Sequence, residues 1–289
     1  MDLRRLAAAF VACLLLSSLP ATAEEVDLQL LLAIDVSGSV DSDEAKLQRQ
    51  GYMDAFADER ILRAIARGPK GRIAVAYYEW SDSIYQRLVV DWTVISDHAS
   101  AQAFIKKLHD ASISIATRTS ISGALDYGLA LFARSPHSSA RKVIDVSGDG
   151  PNNDGPFVTE TRDRVVRQKI TINGLPILND RPNRMGFPSM PDLDLYYQDC
   201  VIGGPGAFIV AARDFDNFAE AVKQKLFLEV AGIGDRRSAR IAAKEGFTLP
   251  IVWARPARSG IQPANFKGDC RYGERQSHEF WRFRQTFPD

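Results

Sequence analysis

The sequence runs to 289 residues, of which 45% are hydrophobic and 25% charged, which excludes a disordered or fibrous chain and fits a globular one. Lysine plus arginine equal aspartate plus glutamate at 36 each, so no net field draws the chain to nucleic acid or to an anionic membrane. Three cysteines with no CxxC, and no histidine near them at ligand spacing, give a structural zinc site no support.

The N-terminus reads as a secretory signal peptide. Arg4 and Arg5 precede the apolar run Leu6 to Leu19, Pro20 breaks it, and Ala21-Thr22-Ala23 is a small-x-small cleavage site. The run is shorter than the roughly 20 apolar residues that span a bilayer. An uncleaved anchor is the alternative. Cleavage after Ala23 is expected, placing the mature chain in the periplasm or outside the cell. No later apolar run is long enough to span a membrane. The mature chain keeps Cys200 and Cys270, which are expected to pair in an oxidising compartment.

Strand and helix patterns then alternate. Val26 to Ile34 is a nearly continuous apolar run, as in a central strand buried on both faces. Asp43 to Ala66 has helical spacing. Arg72 to Trp80 and Ser83 to Trp92 are predicted strands. Their link is too short for a parallel crossover, so they are expected to form an antiparallel pair at a sheet edge. Ser96 to Leu108 is a predicted helix, with Ser96 or Asp97 as its N-cap. A helix over Ile121 to Ala133 precedes a strand over Lys142 to Ser147, and a loop rich in Gly, Pro and Asn follows from Gly148 to Pro156. Thr159 to Gln168 is helical and Ile170 to Leu178 extended. Pro182 to Pro191 is irregular, and Leu193 to Cys200 is a short helix. Ala207 to Ala211 is the last expected strand and Asp214 to Val230 the last expected helix.

This alternation predicts an α/β fold: a doubly wound, mostly parallel sheet with one antiparallel edge strand and helices on both faces. The pattern fades beyond Gly234. Arg236 to Lys244 is basic and could prolong the last helix. Arg255 to Asp289 reads as a tail docked through Cys270. The expected division is a signal peptide over 1–23, one domain over 24–234 and a partly irregular extension over 235–289.

The segment that carries chemistry is Asp35-Val36-Ser37-Gly38-Ser39, directly after the first long strand. In an open parallel sheet, ligands sit beyond the carboxyl ends of the strands, where strand order reverses. One carboxylate and two hydroxyls at alternating positions offer oxygen ligands to a hard cation such as magnesium, manganese or calcium. Alone, the motif is equally a polar loop whose serines cap the next helix. Two further loops add weight. One is Arg118-Thr119-Ser120-Ile121-Ser122-Gly123-Ala124-Leu125 at a helix start; the other is Ser147-Gly148-Asp149-Gly150 at a strand end.

Together these segments resemble the metal-ion-dependent adhesion site of the von Willebrand factor A family, over roughly Val26 to Val230. Tyr78-Glu79-Trp80-Ser81 and the wording Ser147-Gly148-Asp149-Gly150-Pro151-Asn152-Asn153 look most like its secreted bacterial branch, domain of unknown function 1194. The resemblance implies a metal at Asp35, Ser37, Ser39, Thr119 and Asp149. The hydroxyls would touch the cation, and the two aspartates would act largely through water. It also implies a cation, magnesium or manganese before calcium, that keeps net positive charge and accepts an Asp or Glu from a protein partner. Gly148 departs from the family, where threonine is common.

Other readings stand beside this one. Asp145, inside a strand, is expected either to accept hydrogen bonds from loop amides or to support the metal from behind. Trp80 is read as core. Asn152, Asn153 and Asp154 either line the metal face or form turns. No Gly-x-Ser-x-Gly elbow, paired aspartates or Gly-x-Gly-x-x-Gly loop follows the first strand, which argues against an enzyme. A metal-assisted hydrolase and a structural module whose metal only stiffens loops are the remaining alternatives.

Overall fold

The computed structural model describes residues 23–178, 189–213, 217–232, 236–248, 250–253 and 269–277. The predicted signal segment and much of the predicted tail lie outside these residues. No helix among the described residues is long and apolar enough to cross a membrane.

The strand named by the first apolar run is β2 (Gln29–Asp35), and all seven of its residues are buried. A short strand, β1 (Glu24–Glu25), precedes it and pairs with β5 (His137–Ser138). The main sheet adds β3 (Ile73–Trp80), β4 (Gln86–Ile95), β6 (Lys142–Gly148), β7 (Thr171–Pro176), β8 (Phe208–Val210) and β9 (Ile251–Trp253), in the order β4-β3-β2-β6-β7-β8-β9. The five central strands run parallel, and β4 and β9 are antiparallel to their neighbours. The expected antiparallel edge is therefore present at β4, and a second, unexpected one closes the other side. β4 begins later than predicted because residues 81–85 form a tight turn, with Ser81 N donating to Tyr85 O and Tyr85 N to Asp82 O.

Helices cover both faces. Leu30, Leu32 and Ile34 of β2 face one core with Tyr52, Phe56, Phe104 and Phe218. Leu31 and Ala33 face the other with Trp80, Leu125, Val165 and Tyr197. The period of two along a strand with apolar residues at every position makes both layers possible. The first core lies under α1 (Ser42–Phe56), α2 (Glu59–Ala66), α3 (His98–Asp110) and α7 (Phe218–Ala231). The second lies under α4 (Ile121–Ala133), α5 (Val158–Arg167) and α6 (Leu193–Tyr196), which runs on as a π-turn over Tyr197–Val201.

The single helix expected over 43–66 is two. Asp58 ends the first and caps the second, its carboxylate accepting from Arg60 N at 2.8 Å. Asp97, one of two expected caps, accepts from Ser100 N at the start of α3. Beyond residue 234, Arg236–Lys244 forms its own helix, α8, instead of prolonging α7; Gly232 ends α7 with φ at +71°, a left-handed turn that glycine adopts without strain.

Candidate metal centre

Strand order reverses between β2 and β6. β2 is followed in the chain by its neighbour on one side, β3, and pairs on the other side with β6. Asp35 ends β2 and Asp149 follows the last residue of β6, so both carboxylates sit in the crevice that this reversal opens.

The loops meet there. Asp35 is fully buried, and its Oδ1 accepts from Ser37 N at 2.7 Å, which curls the chain so that Ser37 Oγ comes within 3.2 Å of Ser39 Oγ. Ser39 Oγ donates in turn to Asp149 Oδ1 at 2.5 Å, across 110 residues of sequence. Asp41 then caps α1 in a reciprocal box with Glu44, fixing where the loop ends.

The Thr119 loop is tied to both of the others. Gly38 N donates to Thr117 O, and Ala116 N to Val36 O at 2.8 Å. On the far side, Thr119 N donates to Asn153 Oδ1 at 3.0 Å and Asn153 N returns a bond to Thr119 O at 2.8 Å. Thr119 Oγ1 faces Gly150, where an added Cβ would lie 3.9 Å from it. All five predicted residues therefore belong to one cluster of three interlocked loops at the carboxyl edge of the sheet.

The electrostatics of the cluster are unbalanced. Burial, and then the facing carboxylate of Asp149, push the Asp35 carboxyl well above its usual range. Asp35 Oδ2 is buried without a hydrogen-bonded partner. Two neighbouring carboxylates, one of them with an orphaned oxygen, and three hydroxyls form a donor set that fits a hard divalent cation. Among the described residues there is no group of three or more His, Cys, Asp or Glu that could hold a metal, so any ion here would depend on hydroxyl oxygens.

The departure at Gly148, where the family commonly has threonine, has a structural counterpart. A Cβ there would lie 2.8 Å from Asp35 Oδ2 and 2.8 Å from the Tyr197 hydroxyl. The phenol of Tyr197 thus occupies the space beside Asp35 that a side chain at 148 would need. Tyr197 was not singled out by the sequence; its only signal was a place in a short predicted helix. Gly148→Ala should destabilise the fold by about 1–3 kcal/mol through overpacking. Tyr197→Phe should recover part of that loss in a urea titration of the double variant, and equal midpoints for wild type and Gly148→Ala would refute the crowding.

Asn152 and Asp154 are structural, not free turn formers. Asn152 is buried: its Oδ1 accepts from Ser122 N at 2.9 Å and its Nδ2 donates to Glu274 Oε1 at 2.9 Å. Asp154 pairs with Arg118 at 2.9 Å and accepts from Ser83 N at 2.8 Å. Asp145 fills neither role expected of it. It faces away from the loops' amides and pairs with Lys225 at 2.5 Å, because the side-chain alternation of β6 turns it toward α7. Trp80 is core, as expected, with no exposed surface.

This sheet order, with the loop cluster at its carboxyl edge, defines a von Willebrand factor A-like α/β fold. A family model described as a protein of unknown function, DUF1194, matches residues 25–234, and the chain belongs to that family. No curated protein matches its sequence. Among solved structures it is similar to proximal thread matrix protein 1 from the mussel byssus, at 15% identity and TM-score 0.50, over 72% of this chain and 47% of that one. A form of the same mussel protein is described as having a zinc-occupied MIDAS motif; it matches at 16% identity and TM-score 0.50 over 71% of this chain and 46% of that one. The open conformation of the pilus adhesin SpaC from Lactobacillus rhamnosus GG matches at 12% identity and TM-score 0.51, over 71% of this chain and 30% of that one. The chain thus spans less than half the length of these structures, and at such identities the likeness is one of fold.

Proposed function

We propose that this is an exported protein-binding module of the adhesion type, with a divalent cation at the carboxyl edge of the sheet that captures an acidic group of a protein partner. The observation that carries the reading is the convergence of Ser37, Ser39, Asp35 and Asp149, linked from Asp35 to Asp149 through the two serines, with Thr119 held against the same loop. Ser37, Ser39 and Thr119 would hold the ion directly, and Asp35 and Asp149 would balance its charge largely through water. A cation held mainly by neutral oxygens keeps net positive charge, and an Asp or Glu side chain of a partner would complete its shell. Magnesium or manganese suits the compact oxygen set, with calcium a larger alternative. The zinc-occupied motif described for the mussel protein supports a metal role for this edge of the fold. A signal peptide cleaved after Ala23 would place the module in the periplasm or outside the cell, where the bond between Cys200 and Cys270 is stable.

Ligand that binds only the native state raises stability with its free concentration, by about 2.7 kcal/mol at a hundred times the dissociation constant. Magnesium or manganese should therefore raise the thermal midpoint of the mature protein. Asp35→Ala should abolish the shift, and Ser37→Ala and Thr119→Ala should shrink it. Immobilised mature protein should retain periplasmic partners in manganese and release them in chelator. Absence of any calorimetric binding at millimolar magnesium, manganese and calcium would sink the reading. Metal binding without metal-dependent capture would leave a module whose cation only stiffens its loops.

A further inference from the structure

Lys225 lies on α7 with no exposed surface, an expensive place for an ammonium group unless it is paired. Its Nζ is 2.5 Å from Asp145 Oδ1 on β6 and 2.6 Å from Glu229 Oε1 one helical turn on. Asp145 and Glu229 are also buried, at 3% and 2% exposed. The three groups are walled by the ring of Phe208, 5.3 Å from Nζ, and belong to the layer that holds Tyr52 and Phe218. Asn173 fixes Glu229 by donating from Nδ2 to Oε1 at 2.9 Å, while its own Oδ1 accepts from Phe208 N. Glu229 Oε2 has no partner. Asp145 Oδ1 makes no hydrogen bond despite the close lysine nitrogen, which approaches off the directions a hydrogen bond takes.

One ammonium and two carboxylates in a dry core leave an uncompensated charge. Burial, and then Glu229, raise the Asp145 carboxyl to about 7, so it is readily protonated at neutral pH. In a low dielectric, passing the lysine proton to Asp145 replaces an ion pair with a neutral amine and a neutral acid. An amine and a carboxylic acid held in contact, away from bulk water, are the reactants of an amide bond, and fixed proximity removes much of the entropic barrier.

We propose that Lys225 and Asp145 form an intramolecular isopeptide bond, joining α7 to β6, with Glu229 as the proton-transferring residue. Lys225 Nζ, as the neutral amine, bonds to Asp145 Cγ. The Glu229 carboxylate takes a proton from that nitrogen and delivers it to the hydroxyl oxygen on Cγ. The bond from Cγ to that oxygen breaks and one water leaves. Glu229 ends as the carboxylate it began as, and no oxidant, reductant or co-substrate is consumed. The product replaces a buried ion triad with a neutral amide and one carboxylate that Asn173 still holds. The arrangement is separate from the metal loops: the alternation of β6 puts Asp145 on the layer under α7, while the cluster sits beyond the strand's end.

The test is intact-mass spectrometry of the folded, purified mature protein, incubated at neutral pH and then reduced and denatured. The expected mass is lower than the sequence mass by one water. Cyclisation of an N-terminal Glu24 would give the same loss, so the position decides. Trypsin should yield one branched peptide joining Val143 to Arg162 with Gln224 to Arg236, because acylated Lys225 is no longer cleaved. Lys225→Met should show the full mass and no branched peptide. Glu229→Gln keeps the size and the contact with Asn173, and should fold yet leave lysine and aspartate unjoined. Full-mass wild-type protein, or separate unmodified peptides from both regions, overturns the bond whatever the variants do. A branched peptide of undiminished yield in Glu229→Gln overturns the role given to Glu229.

Discussion

Replacing Glu79 with alanine should lower the unfolding free energy by about 3–5 kcal/mol, because it strands a buried guanidinium. Glu79 is 2% exposed on β3. Its Oε1 accepts from Arg49 Nη2 of α1, and its Oε2 accepts from Arg87 Nη2 of β4 at 2.8 Å. Arg49 is 4% exposed and cannot turn to water, whereas the Arg87 side chain is 33% exposed and can. The loss should therefore come mainly from Arg49. Both arginines also grip the segment that leads to Thr119: Arg49 Nη2 donates to Ser112 O at 3.0 Å and Arg87 Nη2 to the same oxygen at 2.6 Å. Glu79→Gln keeps an acceptor and should cost less. Adding Arg49→Met to Glu79→Ala should recover much of the loss, since replacing both partners of a buried pair with apolar groups is often neutral. Urea titrations of wild type, Glu79→Ala, Arg49→Met and the double variant close the cycle. A loss below about 1 kcal/mol for Glu79→Ala, or no recovery in the double variant, would show that the triad does not hold this face together.

Glu79 also marks where sequence reasoning ran out. β2, β3 and β6 were legible because strands buried on both faces are apolar at nearly every position, and the loops after β2 and β6 carry candidate oxygen ligands in short, spaced motifs. The five candidate ligands could be named because three motifs fell at ends of predicted elements, and folding brought those ends together. The polar groups behind them could not be named. Arg49, Glu79 and Arg87 come from three separate elements, and nothing local says that their charges meet. Asp145 was recognisable as a costly buried carboxylate, but its partner Lys225 is 80 residues away in the chain, on a different element. Tyr197 reaches Gly148 only because the π-turn after α6 places it there. β9 was missed because its three residues lie between Pro250 and the proline-bearing segment after Trp253, where no alternation marks a strand.

Removing the bond between Cys200 and Cys270 should cost about 4 kcal/mol on chain-entropy grounds, for a closed loop whose ends are 70 residues apart in sequence. Cys200 is fully buried in the π-turn, and the Cα atoms are 5.5 Å apart. The bond brings residues 269–277, which contain a helical turn over 272–277, against the loop that carries Asn152. Glu274 then accepts from Asn152 Nδ2, and Arg271 stacks on Phe157 with its guanidinium carbon 4.3 Å from the ring centroid. Asn152 N in turn donates to the Tyr196 hydroxyl at 3.1 Å, next to the disulfide's own helix. Burial raises the Glu274 carboxyl above its usual range, with the bond from Asn152 opposing the shift. The segment therefore braces the loop that begins at Asp149, and the effect of its loss should exceed loop entropy alone. Cys200→Ser with Cys270→Ser should lower the urea midpoint, open the 150–157 loop to proteases and weaken any metal-dependent thermal shift. Glu274→Ala, with the disulfide intact, should reproduce the loop's protease sensitivity with a smaller loss of stability. If the double cysteine variant loses stability while the 150–157 loop stays as protected as in wild type, the disulfide acts on the unfolded chain alone and the bracing role fails.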